Sequence, residues 1–228
     1  QKGTLGEFVM GKLSTIENIG LAFFGRVSAS ISHEIKNSLA IINENAGLLE
    51  DLTRLAEKGI PLSTERLQRL SATIEKQVDR ADKIIKKMNR FSHSTDHMIQ
   101  PVDIYEATVF VTDLCDRLIR MHNVAVKVAP PETPLVISSN LFCLEHVIWA
   151  CIEFVTKAVG TGETITITIE KLTTGAQIRV NGLETPETVS QEIFPSETEK
   201  ALQDILDADI RVDSENKDIL IILPKEIR

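Results

Sequence analysis

The segment Ser32-His33-Glu34-Ile35-Lys36-Asn37 puts an imidazole, a carboxylate and a carboxamide within one stretch of chain. A neutral imidazole has one lone-pair nitrogen with which to attack phosphorus, while its other nitrogen carries the proton. A carboxylate holding that proton fixes the tautomer, an orienting role carboxylates play beside other reactive histidines. Glu34 is the candidate for it. Asn37 is placed to support docking or to orient a water for the reverse, hydrolytic reaction. Phosphoryl transfer asks the protein for in-line positioning and charge neutralisation more than for covalent work. An exposed histidine that meets a partner carrying its own metal ion satisfies that demand.

Such a group must be presented on a firm surface, and the flanking sequence supplies a helix. Ile35, Leu39, Ile42, Ala46 and Leu49 recur at alternating spacings of four and three, the seam of a coiled coil or helical bundle. At about 100° per residue, His33 lies about 160° around the helix from Ile35, with Asn37 one turn on, so both face outward. Glu34 falls between the outer face and the bundle. The helical pattern runs from residue 5 to about residue 57 and stops at Gly59-Ile60-Pro61. Ser63 is a fitting N-cap for a second helix, with Leu67, Leu70, Ile74, Val78, Ala81, Ile85 and Met88 as its seam. A short loop between long helices makes them antiparallel neighbours. Two helices alone leave too much apolar stripe in water, so the hairpin is expected to form a homodimeric four-helix bundle.

After His97 the pattern becomes mixed, with Pro101 as the boundary. The expected elements are a helix over 104–121 and strands at Ala125–Val128 and Leu135–Ile137. A strongly apolar helix over 141–159 and strands at 164–170 and 176–181 follow. A polar loop over 183–196, a helix over 197–208 and strands at 210–212 and 219–223 complete the chain. This order suggests an α+β sandwich with helices on one face of a sheet. The fold class is therefore α plus α+β: a hairpin domain over residues 1–98 and an α/β sandwich over residues 101–228.

Composition narrows the partners. The formal net charge is -8, which argues against a nucleic-acid partner and against an anionic membrane surface. Aromatic residues are only 4%, so the core must be aliphatic. Cys115, Cys143 and Cys151 are odd in number and match no zinc spacing, which reads as free, buried thiols in a reducing compartment. No apolar run approaches transmembrane length and no secretory signal is present. The chain reads as soluble and cytoplasmic, and its start at Gln1 fits the soluble part of something longer. His93 and His97 lie one turn apart, but surface histidines at a helix end explain them better than a metal does. Asp204, Asp207, Asp209 and Asp213 lack the spacing and glycine of a calcium loop. Trp149 reads as core, and His122 and His146 join no constellation. No metal site is expected.

The stretch from Gly25 to Ala40, with Ser32-His33-Glu34-Ile35-Lys36-Asn37-Ser38-Leu39 at its centre, resembles the H-box of bacterial two-component sensor histidine kinases. Ser38 stands where that box usually has proline. Asp79-Arg80-Ala81-Asp82-Lys83-Ile84-Ile85 and Asn89-Arg90-Phe91-Ser92 resemble the helix leading out of the same domain. The resemblance implies that His33 is the phosphoacceptor, that Glu34 orients it and that Asn37 serves docking or a phosphatase water.

Residues 101–228 resemble the family's ATP-binding domain in the order of their elements. The helix that supplies asparagines in working kinases has Ala150 and Phe154 at the two aligned positions. The Asp-x-Gly-x-Gly element is replaced by Val180-Asn181-Gly182-Leu183-Glu184, and the glycine-rich lid has no counterpart in residues 183–196. Phosphate cradling needs glycines and magnesium needs hard oxygen ligands. The resemblance therefore shifts toward dimeric histidine phosphotransferases of phosphorelays. It implies exchange of a phosphoryl group with the aspartate of a response regulator receiver domain, no ATP bound by this chain, and Mg2+ brought by the receiver. Two other readings are an active histidine kinase with a divergent ATP site, and a dimeric module that binds or dephosphorylates a response regulator without carrying phosphate.

Overall fold

The structure, a computed structural model, describes residues 2–182 and 194–227, with side chains from residue 18 onward. Two compact units emerge. One is Val27–His93, and the other joins the residues through Arg26 to those from Ser94 on. The first helix is thus divided between the units at Arg26.

The hairpin consists of α1 (Lys2–Glu57) and α2 (Thr64–Ser92). Gly59 ends α1 with φ +84°, a left-handed conformation that glycine adopts without steric cost. The Ile60 N–H then donates back to the Leu55 carbonyl at 3.1 Å. Ser63 caps α2 as expected, its hydroxyl accepting from the Arg66 N–H at 3.3 Å.

The inner seam shares Leu70 with the expected one, whose Ile35, Ile42, Leu49, Leu67, Ile74, Ala81 and Met88 are half-buried. Its buried positions on α1 are Ile31, Ser38, Asn45 and Leu52, and on α2 Leu70, Gln77, Ile84 and Phe91, each set repeating every seven residues. Leu39, Val78 and Ile85 sit one position over and stay exposed. The more apolar stripe is therefore not the one buried within the chain. The inner stripe tolerates polar groups that are small or locally satisfied: the Asn45 amide donates to the Ile41 carbonyl at 2.7 Å.

The second unit holds a five-stranded sheet in the order β2-β4-β5-β7-β6. Its strands are β2 (Ala125–Val128), β4 (Thr164–Leu172), β5 (Gly175–Asn181), β6 (Asp209–Asp213) and β7 (Asp218–Pro224). β2 and β4 run parallel and the remaining pairs antiparallel. The Thr/Ile alternation of β4 buries Ile165, Ile167 and Ile169 and turns the threonines away. Packed with the sheet are α3 (Ile104–Leu114), α5 (Leu141–Ala158) and α6 (Glu197–Leu206). α5 is the central helix, with Leu144, Val147, Ile148, Trp149 and Ile152 in the core. Asn140 caps it by accepting from the Cys143 N–H at 2.9 Å, while its own amide donates to the Met98 carbonyl.

Two local expectations are corrected. The helix expected over 104–121 is broken at Cys115 (φ -99°, ψ 7°) into α3 and the short α4 (Asp116–Arg120). Pro101 lies inside a strand, β1 (Gln100–Asp103), which pairs with β3 (Val136–Ser139) in a separate two-stranded sheet. Proline is tolerated there because an edge strand leaves one row of amides unpaired. The loop expected over 183–196 falls mostly on residues 183–193, outside the described residues. The thiols are free; Cys115 and Cys151 are buried, while Cys143 is half-buried. No described helix is long and apolar enough to cross a membrane.

Candidate functional site

His33 and Asn37 are both exposed on α1, one turn apart, as the helix geometry requires. The Asn37 carboxamide nitrogen stands 3.3 Å from His33 Nδ1. Two arrangements share this geometry, since a carboxamide presents either an N–H or, turned over, an oxygen. Attack through Nε2 requires the second: Nδ1 carries the proton, the amide oxygen accepts it, and the Nε2 lone pair points outward. Behind the ring, Ser30 and Ser38 are buried, so small side chains fill the helix's inner side at this level.

Glu34 lies between the outer face and the seam, its side chain 18% exposed. Its carboxylate faces Arg80 of α2 at 3.7 Å, and the contact to the imidazole ring comes from Asn37. At 3.7 Å the Glu34–Arg80 pair is a loose one that a partner can rearrange. Arg80 is 46 residues away in sequence, beyond any spacing pattern, and the hairpin register brings it beside Glu34.

In the other unit, the two α5 positions where the family places asparagines carry no oxygen ligands. Phe154 packs against Phe194 with ring centroids 4.4 Å apart and planes tilted by 32°. The Asn181 amide donates to Asp218 at 2.9 Å, and Arg179 donates to the same carboxylate at 2.6 Å. Gly182 has φ +134°, and a Cβ there would meet Val155 and Val159 at 3.2 Å. Its glycine thus serves close packing of β5's end against α5.

Sequence spacing also missed a cluster that joins α1 to α5. Arg26 donates to both oxygens of Glu153, at 2.9 and 2.7 Å, and Lys157 pairs with the same carboxylate at 2.9 Å. Burial works against the Glu153 charge, but the hydrogen bonds from Arg26 and Lys157 outweigh it and hold the carboxyl below its usual range. One turn before Arg26, Phe23 stacks on His146 with centroids 4.3 Å apart and planes 6° from parallel. Burial, aided by the Arg26 charge, pushes His146 down to about 4, so its ring is neutral at pH 7. The partners stand more than a hundred residues apart in sequence, beyond any local pattern. Among the described residues, no group of three or more His, Cys, Asp or Glu side chains is arranged to hold a metal.

Comparison with known proteins bears on the hairpin first. Residues 25–96 match the His Kinase A (phospho-acceptor) domain. No curated protein matches the chain. Solved structures that align with it include the catalytic domain of histidine kinase ThkA, 18% identical over 58% of this chain and 100% of that one, with a TM-score of 0.49. Acinetobacter baumannii histidine kinase AdeS aligns at 13% identity over 85% of this chain and 98% of that one, with a TM-score of 0.47. ThkA in complex with response regulator protein TrrA aligns at 21% identity over 90% of this chain and 63% of that one, with a TM-score of 0.45. Residues 25–96 of this chain, whose helix α1 presents His33, thus form a hairpin of the His Kinase A (phospho-acceptor) type.

Proposed function

We propose that this protein relays a phosphoryl group between His33 and the aspartate of a response regulator receiver domain, without binding ATP. The observation that carries the reading is the exposed His33 ring, with Asn37 set against Nδ1 at 3.3 Å. Nε2 attacks the phosphorus of the receiver's acyl phosphate, the P–N bond forms, the P–O bond to aspartate breaks, and the aspartate leaves as a carboxylate. Asn37 holds Nδ1–H through its oxygen in the forward step and serves docking or water orientation in hydrolysis. Glu34, released from Arg80 by the docking partner, is the carboxylate whose charge offsets the positive charge that develops on the ring. The receiver brings the Mg2+.

The second unit's residues do not fit a metal-bound triphosphate. Ala150 and Phe154 offer no oxygen ligand, and Phe154 is engaged with Phe194. Asn181 is committed to Asp218. No step of the transfer is therefore routed through a nucleotide.

The hairpin's outer apolar stripe supports a homodimer. Leu39, Val78 and Ile85, each one position past the buried stripe, are exposed hydrophobic residues of α1 and α2 in the single chain. Covering such surface returns about 25 cal/mol per Å² of apolar area. A second hairpin is the partner that supplies a matching stripe.

Incubation with a phosphorylated receiver, and in parallel with labelled ATP, tests the reading. Label reaching wild type but not His33→Ala, and only from the receiver, is the expected result. Label from ATP identifies an active kinase with a divergent site instead. Dephosphorylation of the receiver that survives His33→Ala identifies a phosphatase or binding module.

A further inference from the structure

The unit that contains the sheet also contains a cleft of about 480 Å³, walled by the start of α5, by α6 and by the residues of α1 just before Arg26. Its volume falls within the range of about 300–1,000 Å³ found for small-molecule sites. It is also roughly three times the 150 Å³ cavity that stays dry and accepts benzene. Its walls are aliphatic and aromatic, with Phe24, Phe142, Leu202 and Ile205 among them, and no charged side chain belongs to the described lining. Leu21, at its edge, is 69% exposed and marks an open side.

Polar capacity in that lining is sparse: Thr95, Cys143 and His146 supply it. His146 is the unusual member. It is 5% exposed, and its Nδ1 has no hydrogen-bond partner. A buried polar atom without a partner is costly to leave unpaired, and such groups commonly mark a missing water or ligand. The neutral ring offers one donor and one acceptor and no charge. A ligand with an ionised head would have to leave water for an uncharged, apolar cleft, which is strongly unfavourable.

We propose that this cleft binds an uncharged lipophilic small molecule, an aliphatic or aromatic body with a single hydroxyl-type head that hydrogen-bonds His146. This site is separate from the phosphoryl chemistry at His33 and stands or falls independently of it. The probe is 1-decanol, with decanoate as its charged counterpart. Isothermal titration of the full chain should show saturable binding of decanol at one site per chain. Decanoate should bind at least about tenfold more weakly. Ala201→Phe, which fills the cleft from α6, should weaken decanol binding by about tenfold or more. Cys143→Phe should do the same from the α5 wall, so that one misfolded variant, detected by circular dichroism, leaves the other to decide. The His146 Hε1 resonance, assigned by its loss in His146→Gln, should shift on addition of decanol. Absence of saturable decanol binding, binding undiminished in both filled variants, or decanoate binding tighter than decanol would each overturn the proposal.

Discussion

His33 and Asn37 behave as a unit because the helix spaces them one turn apart. Removing the Asn37 amide leaves Nδ1 to solvent and frees the ring to rotate and change tautomer. A hydrogen bond of this kind is worth about 1 kcal/mol, so Asn37→Ala should slow transfer from a phosphorylated receiver by roughly five- to tenfold without abolishing it. Rapid-quench measurement of label on His33 reads this directly, and an unchanged rate would remove Asn37 from the site. His146 gives a second test at this scale. Its folded value of about 4 lies below the ordinary 6.5, so the unfolded chain takes up the proton first as pH falls. Stability contributed by the neutral ring is fully present above pH 6.5 and is lost progressively between about 6.5 and 4. The shift corresponds to roughly 3 kcal/mol at most. Urea unfolding across that pH window should show a shallower decline for His146→Phe than for wild type. The histidine at 33 was legible because its chemistry and its helix share one short segment. His146 was not, since its meaning comes from Phe23 and Arg26, brought to it by the fold.

At the level of the elements, the hairpin carries two adjacent stripes with the same period. Pattern reading takes in Ile35, Ile42, Leu70 and Ile74, which the fold buries or half-buries, together with Leu39, Val78 and Ile85, which it leaves exposed. The fold buries the neighbouring stripe with Ser38, Asn45 and Gln77. Heptad spacing alone does not rank two such stripes, because both satisfy it and only the second partner surface decides which faces inward. Helix ends were legible for the opposite reason: Gly59 and Ser63 act through their own backbone and side chain. Strand β1 was hidden by Pro101, which argues against a strand until its edge position is known. Gln77 Oε1 is buried without a partner. Gln77→Leu should therefore stabilise the hairpin by about 1–2 kcal/mol, seen as a higher urea midpoint. A lower midpoint would mean that the amide is satisfied across the seam.

For the whole molecule, the outer stripe and the charge distribution point to different partners. The stripe carries the proposed pairing with a second copy, while the net charge of -8 leaves nucleic acid a poor fit. Val78→Glu with Ile85→Glu places like charges in the proposed dimer seam without touching the buried inner one. Sedimentation velocity at micromolar concentration should give a dimer for wild type and a monomer for the double variant. A wild-type monomer would contradict the four-helix bundle. The acid-sensitive Arg26–Glu153–Lys157 cluster joins the opening helix to the sheet unit. The low carboxyl value at Glu153 means that its contribution is present at neutral pH and is lost as pH falls through that value. Glu153→Gln should accordingly lower the melting temperature at pH 7 more than at pH 3.

In the proposed relay the phosphoryl group on His33 comes from a receiver domain. The most direct test is to follow phosphohistidine by 31P NMR in the full chain with Mg2+ and either ATP or a phosphorylated receiver domain. A phosphoimidazole resonance is expected with the receiver, absent in His33→Ala, and none with ATP. A phosphoimidazole signal from ATP alone, lost in His33→Ala, would contradict the relay.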